Sequence, residues 1–90
     1  MKIPFNELNI YVVENFHKKI LKELAQAKTS FTLNFSNVEK IDLITIQLIL
    51  SLKKYCDDKN INLKLTNIEA RQVKQSFKMF NLDQTLGIAL

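Results

Sequence analysis

Lys40–Leu50 reads KIDLITIQLIL, and where that run divides decides the fold. Val38 and Ile41 lead into it as a short extended piece after the loop SNVEKID. Beyond Asp42, Leu48, Ile49, Leu52, Tyr55 and Cys56 recur at helical spacing, and Lys53 and Lys54 fill the other face. No Gly or Pro interrupts the run. Asp42 therefore marks the point where an extended segment hands over to a helix running from Leu43 or Ile44 to Asp58. Aspartate is a favoured residue there: its carboxylate accepts an amide near Ile44 or Thr45, worth about 1 kcal/mol.

Upstream, Phe31, Leu33 and Phe35 alternate with Thr32 and Asn34 in TSFTLNF, which predicts a central strand. Before it, Val13, Phe16, Ile20, Leu24 and Ala27 form the stripe of a helix from Tyr11 to near Lys28. The opening KIPFNELNI reads as a short strand, a turn at Pro4–Asn6 and a second strand, Glu7 to Ile10. Downstream, DDKN is a break and INLKLTN a strand with Ile61, Leu63 and Leu65 on one face. NIEARQVKQSFKMFN follows as a third helix, with Asn67 as its cap and Val73, Phe77 and Phe80 on its apolar stripe. LDQTLGIAL closes the chain as a turn and a short apolar tail. The order ββαβαβα predicts one α/β domain over residues 1–90. Its mostly parallel central sheet of four to five strands carries packed helices, and the amino-terminal hairpin adds an antiparallel edge.

Ninety residues, 47% of them hydrophobic and 24% charged, are enough for one self-supporting core. One cysteine makes neither an internal disulfide nor a metal cluster and points to a reducing compartment. The early polar turn of MKIPFNELN predicts no signal peptide. With no apolar run near the ~20 residues of a membrane span, the expectation is a cytoplasmic protein without membrane insertion. The net charge of +4 is a weak argument for nucleic acid: twelve of the thirteen basic residues are scattered lysines, and Arg71 alone offers a planar fork. A single glycine, Gly87, excludes the usual glycine-rich phosphate loop.

The succession of FTLNFSNVEKID, a buried helix, NINLKLTNI and VKQSFKMFNLDQTLGI resembles the bacterial STAS domain of anti-sigma factor antagonists, over about Leu8 to Ile88. That family reads as a hydrophobic strand ending Asp-Leu-Ser, then Asp-Ser-Ser-Gly-Leu opening a helix. Asn34-Phe35-Ser36 stands at the first motif and Asp42 at the loop aspartate. Leu43 takes the place of the Ser or Thr that a partner kinase phosphorylates. Ile44, Thr45 and Ile46 take the places of a small residue, Gly and Leu. Gln47 and the helix opening Gln-Leu-Ile-Leu are similar to a chemotaxis-linked STAS subgroup. The resemblance implies a non-enzymatic module that binds a kinase-like anti-sigma factor or another signalling ATPase. Its alternatives are a chemotaxis-linked protein and the STAS subunit of a lipid-transporting ABC complex, bound to the transporter's ATPase. It implies no cofactor.

The departure at Leu43 matters for mechanism. Phosphate on a helix first turn adds about −1.5 to −2 charges where free amides meet the helix dipole, and leucine cannot carry it. Thr45 is the nearest hydroxyl, but two residues rotate its side chain by about 200° around the axis, so packing or back-bonding to the preceding turn is the competing reading. Leu43 and Ile44 are either core or an apolar patch for a partner. Asp42 is a cap, and a capped aspartate also fits an interface; as a catalytic acid it lacks a nearby second carboxylate or His. Ser36 and Asn37, at a strand's carboxyl end, lie where α/β sheets form crevices. His17 has no second ligand at metal spacing, and Cys56 reads as a small core residue. Ser36, Asn37, Asp42, Leu43, Ile44 and Thr45 are thus the expected partner-binding residues.

Overall fold

Asp42 divides the chain as its sequence predicts. In the computed structural model, which describes residues 1–88 and 90, β3 (Lys40–Ile41) ends immediately before it and α2 (Leu43–Asp58) begins immediately after. The other elements are β1 (Glu7–Leu8), α1 (Val13–Leu24), β2 (Ser30–Asn34), β4 (Asn62–Thr66), α3 (Arg71–Met79) and the short α4 (Leu82–Thr85). This is a small α/β fold, with four helices and two parallel two-stranded ladders among the described residues. β2 pairs with β4 from Ser30 opposite Asn62 to Asn34 opposite Thr66, and β1 pairs with β3.

The amino-terminal hairpin does not form. Lys2 makes a parallel bridge to Asn34, and Glu7–Leu8 pairs in parallel with Lys40–Ile41. Hydrogen-bond parity explains why. Ile3 N–H donates to Asn34 O (3.1 Å), and Met1 O accepts from Asn34 N–H (2.9 Å). Asn6 O accepts from Glu39 N–H (2.7 Å), and Leu8 O accepts from Asp42 N–H (3.0 Å). Odd residues bond β2 and even residues bond the β3 segment, as in a single strand seated between two neighbours, whose backbone groups alternate sides. Pro4, with no N–H to give, stands where the segment changes partner. Four further expectations are corrected. The first strand shrinks to the Lys2 bridge, and the second ends at Leu8 rather than Ile10. The extended piece at Ile41 is a strand in its own right. The single central sheet is two ladders joined through the amino-terminal segment.

Helix ends also moved. α1 starts at Val13 and stops at Leu24, after which Gln26 and Ala27 donate to carbonyls three residues back, the tightened turn common at helix ends. Asn67 is not the cap of α3. It takes a left-handed φ of 58°, and the helix starts four residues later with Ala70 at its N-cap. Asn60 and Asn81 share that conformation at φ 58° and 56°. The single glycine, Gly87, takes one left-handed turn at φ 66°, and asparagine supplies the others, since its short amide tolerates them better than other side chains. The expected turn at LDQT is the helix α4, and Ala89 of the expected tail lies outside the described residues.

The core draws Phe16, Ile20 and Leu24 from α1, Ile46, Ile49, Leu52 and Cys56 from α2, and Val73 and Phe77 from α3. They pack over Phe31, Leu33, Leu63 and Leu65, the inward-facing residues of the larger ladder. Phe77 meets Phe35 edge to face at 5.8 Å, a pairing worth about 0.5–1.5 kcal/mol beyond area. Phe80, expected on the same stripe, is the C-cap of α3 and is exposed, because the left-handed turn at Asn81 redirects the chain. Leu82 of α4 enters the core instead. Among the described residues no helix is long and apolar enough to cross a membrane.

One contact closes the outer edge of β3. The Gln72 amide accepts from Ile41 N–H at 2.9 Å and donates to Ile41 O at 3.1 Å, as a neighbouring strand would. Gln72→Ala leaves both backbone groups without that partner, so urea denaturation is expected to show a loss of about 1–3 kcal/mol, with faster amide exchange at Ile41.

Burial pushes the Cys56 thiol above its ordinary range; Asp57 adds to the shift and Lys53 opposes it. The folded thiol thus keeps its proton where the unfolded one loses it. Stability from this group is complete below the ordinary thiol pKa and declines as pH rises through it. In alkaline denaturation series, Cys56→Ala is expected to flatten that decline.

Candidate functional site at the carboxyl ends of the strands

The start of α2 is fixed from both sides of its sequence. Asp42 is extended (φ −111°, ψ 176°), and its Oδ1 accepts from Thr45 N–H at 3.1 Å, while its backbone carbonyl accepts from Ile46 N–H. Its own N–H donates to Leu8 O at 3.0 Å, tying the joint to β1. Ile41, the residue before it, is held by Gln72. The cap expected from sequence is present, and it holds a turn whose next two side chains face water. Leu43 is 50% exposed and Ile44 39% exposed. The first turn of α2 carries no acid, the residue type its dipole favours.

Thr45 points the other way. It is fully buried, and among the described residues its hydroxyl has no hydrogen-bond partner, so of the two expected alternatives, packing or back-bonding to the preceding turn, it packs. Of the expected partner-binding residues, Thr45 is the one taken into the core, out of reach of a modifying enzyme in the folded state.

Ser36 and Asn37 lie at the carboxyl end of β2, on a different feature. Ser36 N–H donates to Asn34 Oδ1 at 2.8 Å, and Asn37 Nδ2 donates to Ile3 O at 3.4 Å. They line an open groove of about 610 Å³ with Asn6, Glu7, Asn9 and Glu39. The groove does not include Asp42, Leu43 or Ile44. The six expected residues are therefore split: an apolar turn on α2, a polar groove beside β2, and one buried hydroxyl.

Two residues join the apolar turn that sequence reasoning passed over. α1 follows β1 as α2 follows β3, so the two helix starts emerge at the same end of one parallel pair. Asn9 Oδ1 accepts from Tyr11 N–H at 2.9 Å, and the Asn9 carbonyl takes the amides of Val12 and Val13. Ile10 is 58% exposed and Tyr11 88% exposed on that turn. Their sequence signal was their position off the α1 stripe, directly after an asparagine suited to such a turn. Among the described residues, no group of three or more His, Cys, Asp or Glu stands close enough to hold a metal ion.

A small α/β domain presenting a capped apolar helix start at the ends of parallel strands has the outline of a STAS-type module. A family model described as the STAS domain of Mlab matches residues 6–89, nearly the whole chain. The chain belongs to the STAS domain family. Comparison with curated proteins and with solved structures found no match.

The Thr45 hydroxyl is buried without a partner, so removing it at constant shape relieves a desolvation cost. Thr45→Val is expected to be neutral or to stabilise by about 1 kcal/mol in chemical denaturation, whereas Thr45→Ser leaves the unpaired group and opens a methyl-sized gap.

Proposed function

We propose that the chain is a non-enzymatic regulatory module that docks a protein partner on the turn formed by Asp42, Leu43 and Ile44. The observation that carries this reading is the pair of exposed apolar side chains on a helix turn held rigid by its cap. A fixed turn loses little freedom on binding, and fully burying a leucine or isoleucine contributes about 1.5–3 kcal/mol. Ile10 and Tyr11 extend the surface at the same strand ends, and tyrosine is a residue type enriched among energetic anchors of interfaces.

The partner class implied by family resemblance is a kinase-like ATPase of the anti-sigma type. Leu43 offers no hydroxyl, and Thr45 is buried. In this reading the module stays competent to bind at all times, and control lies with its abundance or with the partner.

Affinity capture from the native cell identifies the partner. Leu43→Asp and Ile44→Asp, each placed at an exposed position, are expected to weaken it at least about tenfold while circular dichroism stays native. Incubated with the captured ATPase and ATP, the wild-type chain is expected to take up no phosphate, and Leu43→Ser to become a substrate. Phosphate on wild-type Thr45, or elsewhere on this helix start, would sink the unswitched reading. Capture of a transporter ATPase instead reassigns the system to lipid transport and leaves the docking surface in place.

A further inference from the structure

The two outer edges of the paired strands are treated differently. β3's outer edge is occupied by the Gln72 amide. Among the described residues β4 pairs only with β2. Its bonds to that neighbour come from even-numbered residues, with Asn62 N–H donating to Thr29 O at 2.8 Å and Thr66 O accepting from Phe35 N–H at 2.9 Å. By strand alternation, the backbone N–H and C=O groups of Leu63 and Leu65 point to the opposite side. Along that side runs a groove of about 350 Å³, walled by Asn62–Leu65 on one flank and Leu86–Ile88 on the other. The amides of the far wall go to α4: Gly87 N–H donates to Gln84 O and Ile88 N–H to Asp83 O. Among the described residues, no hydrogen bond crosses the groove to β4.

We propose that this edge takes an extended acidic segment of a protein partner as an added strand. Peptides dock on open sheet edges through main-chain bonds, with the alternating side chains setting specificity. The charge is supplied by Lys64, exposed between the two open residues, while neither β4 nor residues 84–88 carry an acid. An Asp or Glu on the added strand opposite Lys64 gains from that pairing. A second copy of the chain is disfavoured by the same geometry. A two-fold antiparallel pairing that uses both Leu63 and Leu65 sets Lys64 directly against its own copy, in a chain of net charge +4. The lysine thus guards the edge against self-pairing and selects an acidic occupant. This surface is separate from the α2 turn, so its failure and the failure of that docking site are independent.

The probe is a capped peptide of alternating Glu and Val, about eight residues long, titrated into ¹⁵N-labelled protein. The Leu63 and Leu65 amide resonances are expected to shift and saturate in the millimolar range or tighter. Lys64→Glu is expected to weaken binding about tenfold and to shift preference to the matching Lys-Val peptide. N-methylation of alternate peptide amides, which leaves the protein untouched, is expected to abolish the shifts. The proposal is overturned if the Leu63 and Leu65 amides do not respond, if binding ignores the charge at position 64, or if sedimentation shows the edge paired with a second copy.

Discussion

The joint between Ile41 and Asp42 is held in three directions, and the rest of the molecule is arranged around it. β1 takes the Asp42 amide, α3 takes both backbone groups of Ile41 through Gln72, and α2 is capped by the Asp42 carboxylate. Each bond alone contributes about 1 kcal/mol net. Together they tie a strand, a helix from a distant part of the chain and the amino-terminal segment to two residues. A β3 strand of two residues offers few ladder bonds of its own, so its position depends on these neighbours. This is why an apolar helix start can stand exposed to water without fraying: its backbone is fixed independently of its side chains.

In the proposed reading, that independence matters at Leu43, where the family resemblance sets a phosphorylated hydroxyl. Where a hydroxyl stands on the first turn, phosphate would meet free amides and the positive end of a helix dipole. With leucine there, the same turn presents exposed hydrocarbon. The buried Thr45 belongs to the other side of the turn, where it packs rather than reacts. One helical turn thus separates two exposed side chains from a buried one by rotation alone.

Much of this was legible in the sequence because it is local. The Asp42 cap, the α2 stripe apart from Tyr55, which is exposed, and the alternation of β2 and β4 all follow from local spacing. The amino-terminal pairing was not, because Lys2 and Glu7–Leu8 meet partners some thirty residues away and adjacent short strands read most simply as a hairpin. Asn67 was ambiguous in principle: asparagine serves both as an N-cap and in left-handed turns, and only tertiary packing chose the second. Phe80 was misplaced for a related reason. The periodicity ran on past Met79, but Asn81 turned the chain and brought Leu82 inward. Of the site, Leu43 and Ile44 were named as either core or patch, and sequence could not decide which face of the first turn the core would claim. Ser36 and Asn37 were correctly placed at a strand end, yet which groove that end opens into depends on the amino-terminal segment.

The contrast between the two strand edges follows from the same economy of parts. Among the described residues three helices run longer than four residues, and α3 is already committed to closing β3 through Gln72. Among the described residues no helix packs along the outer edge of β4, and Leu86, Gly87 and Ile88, which pass it, donate their amides to α4. An uncovered edge on so short a strand is tolerable when it is brief and carries a charge, and β4 has both: two open residues and Lys64 between them. A device that prevents pairing with a like chain is, by its sign, one that admits an unlike one.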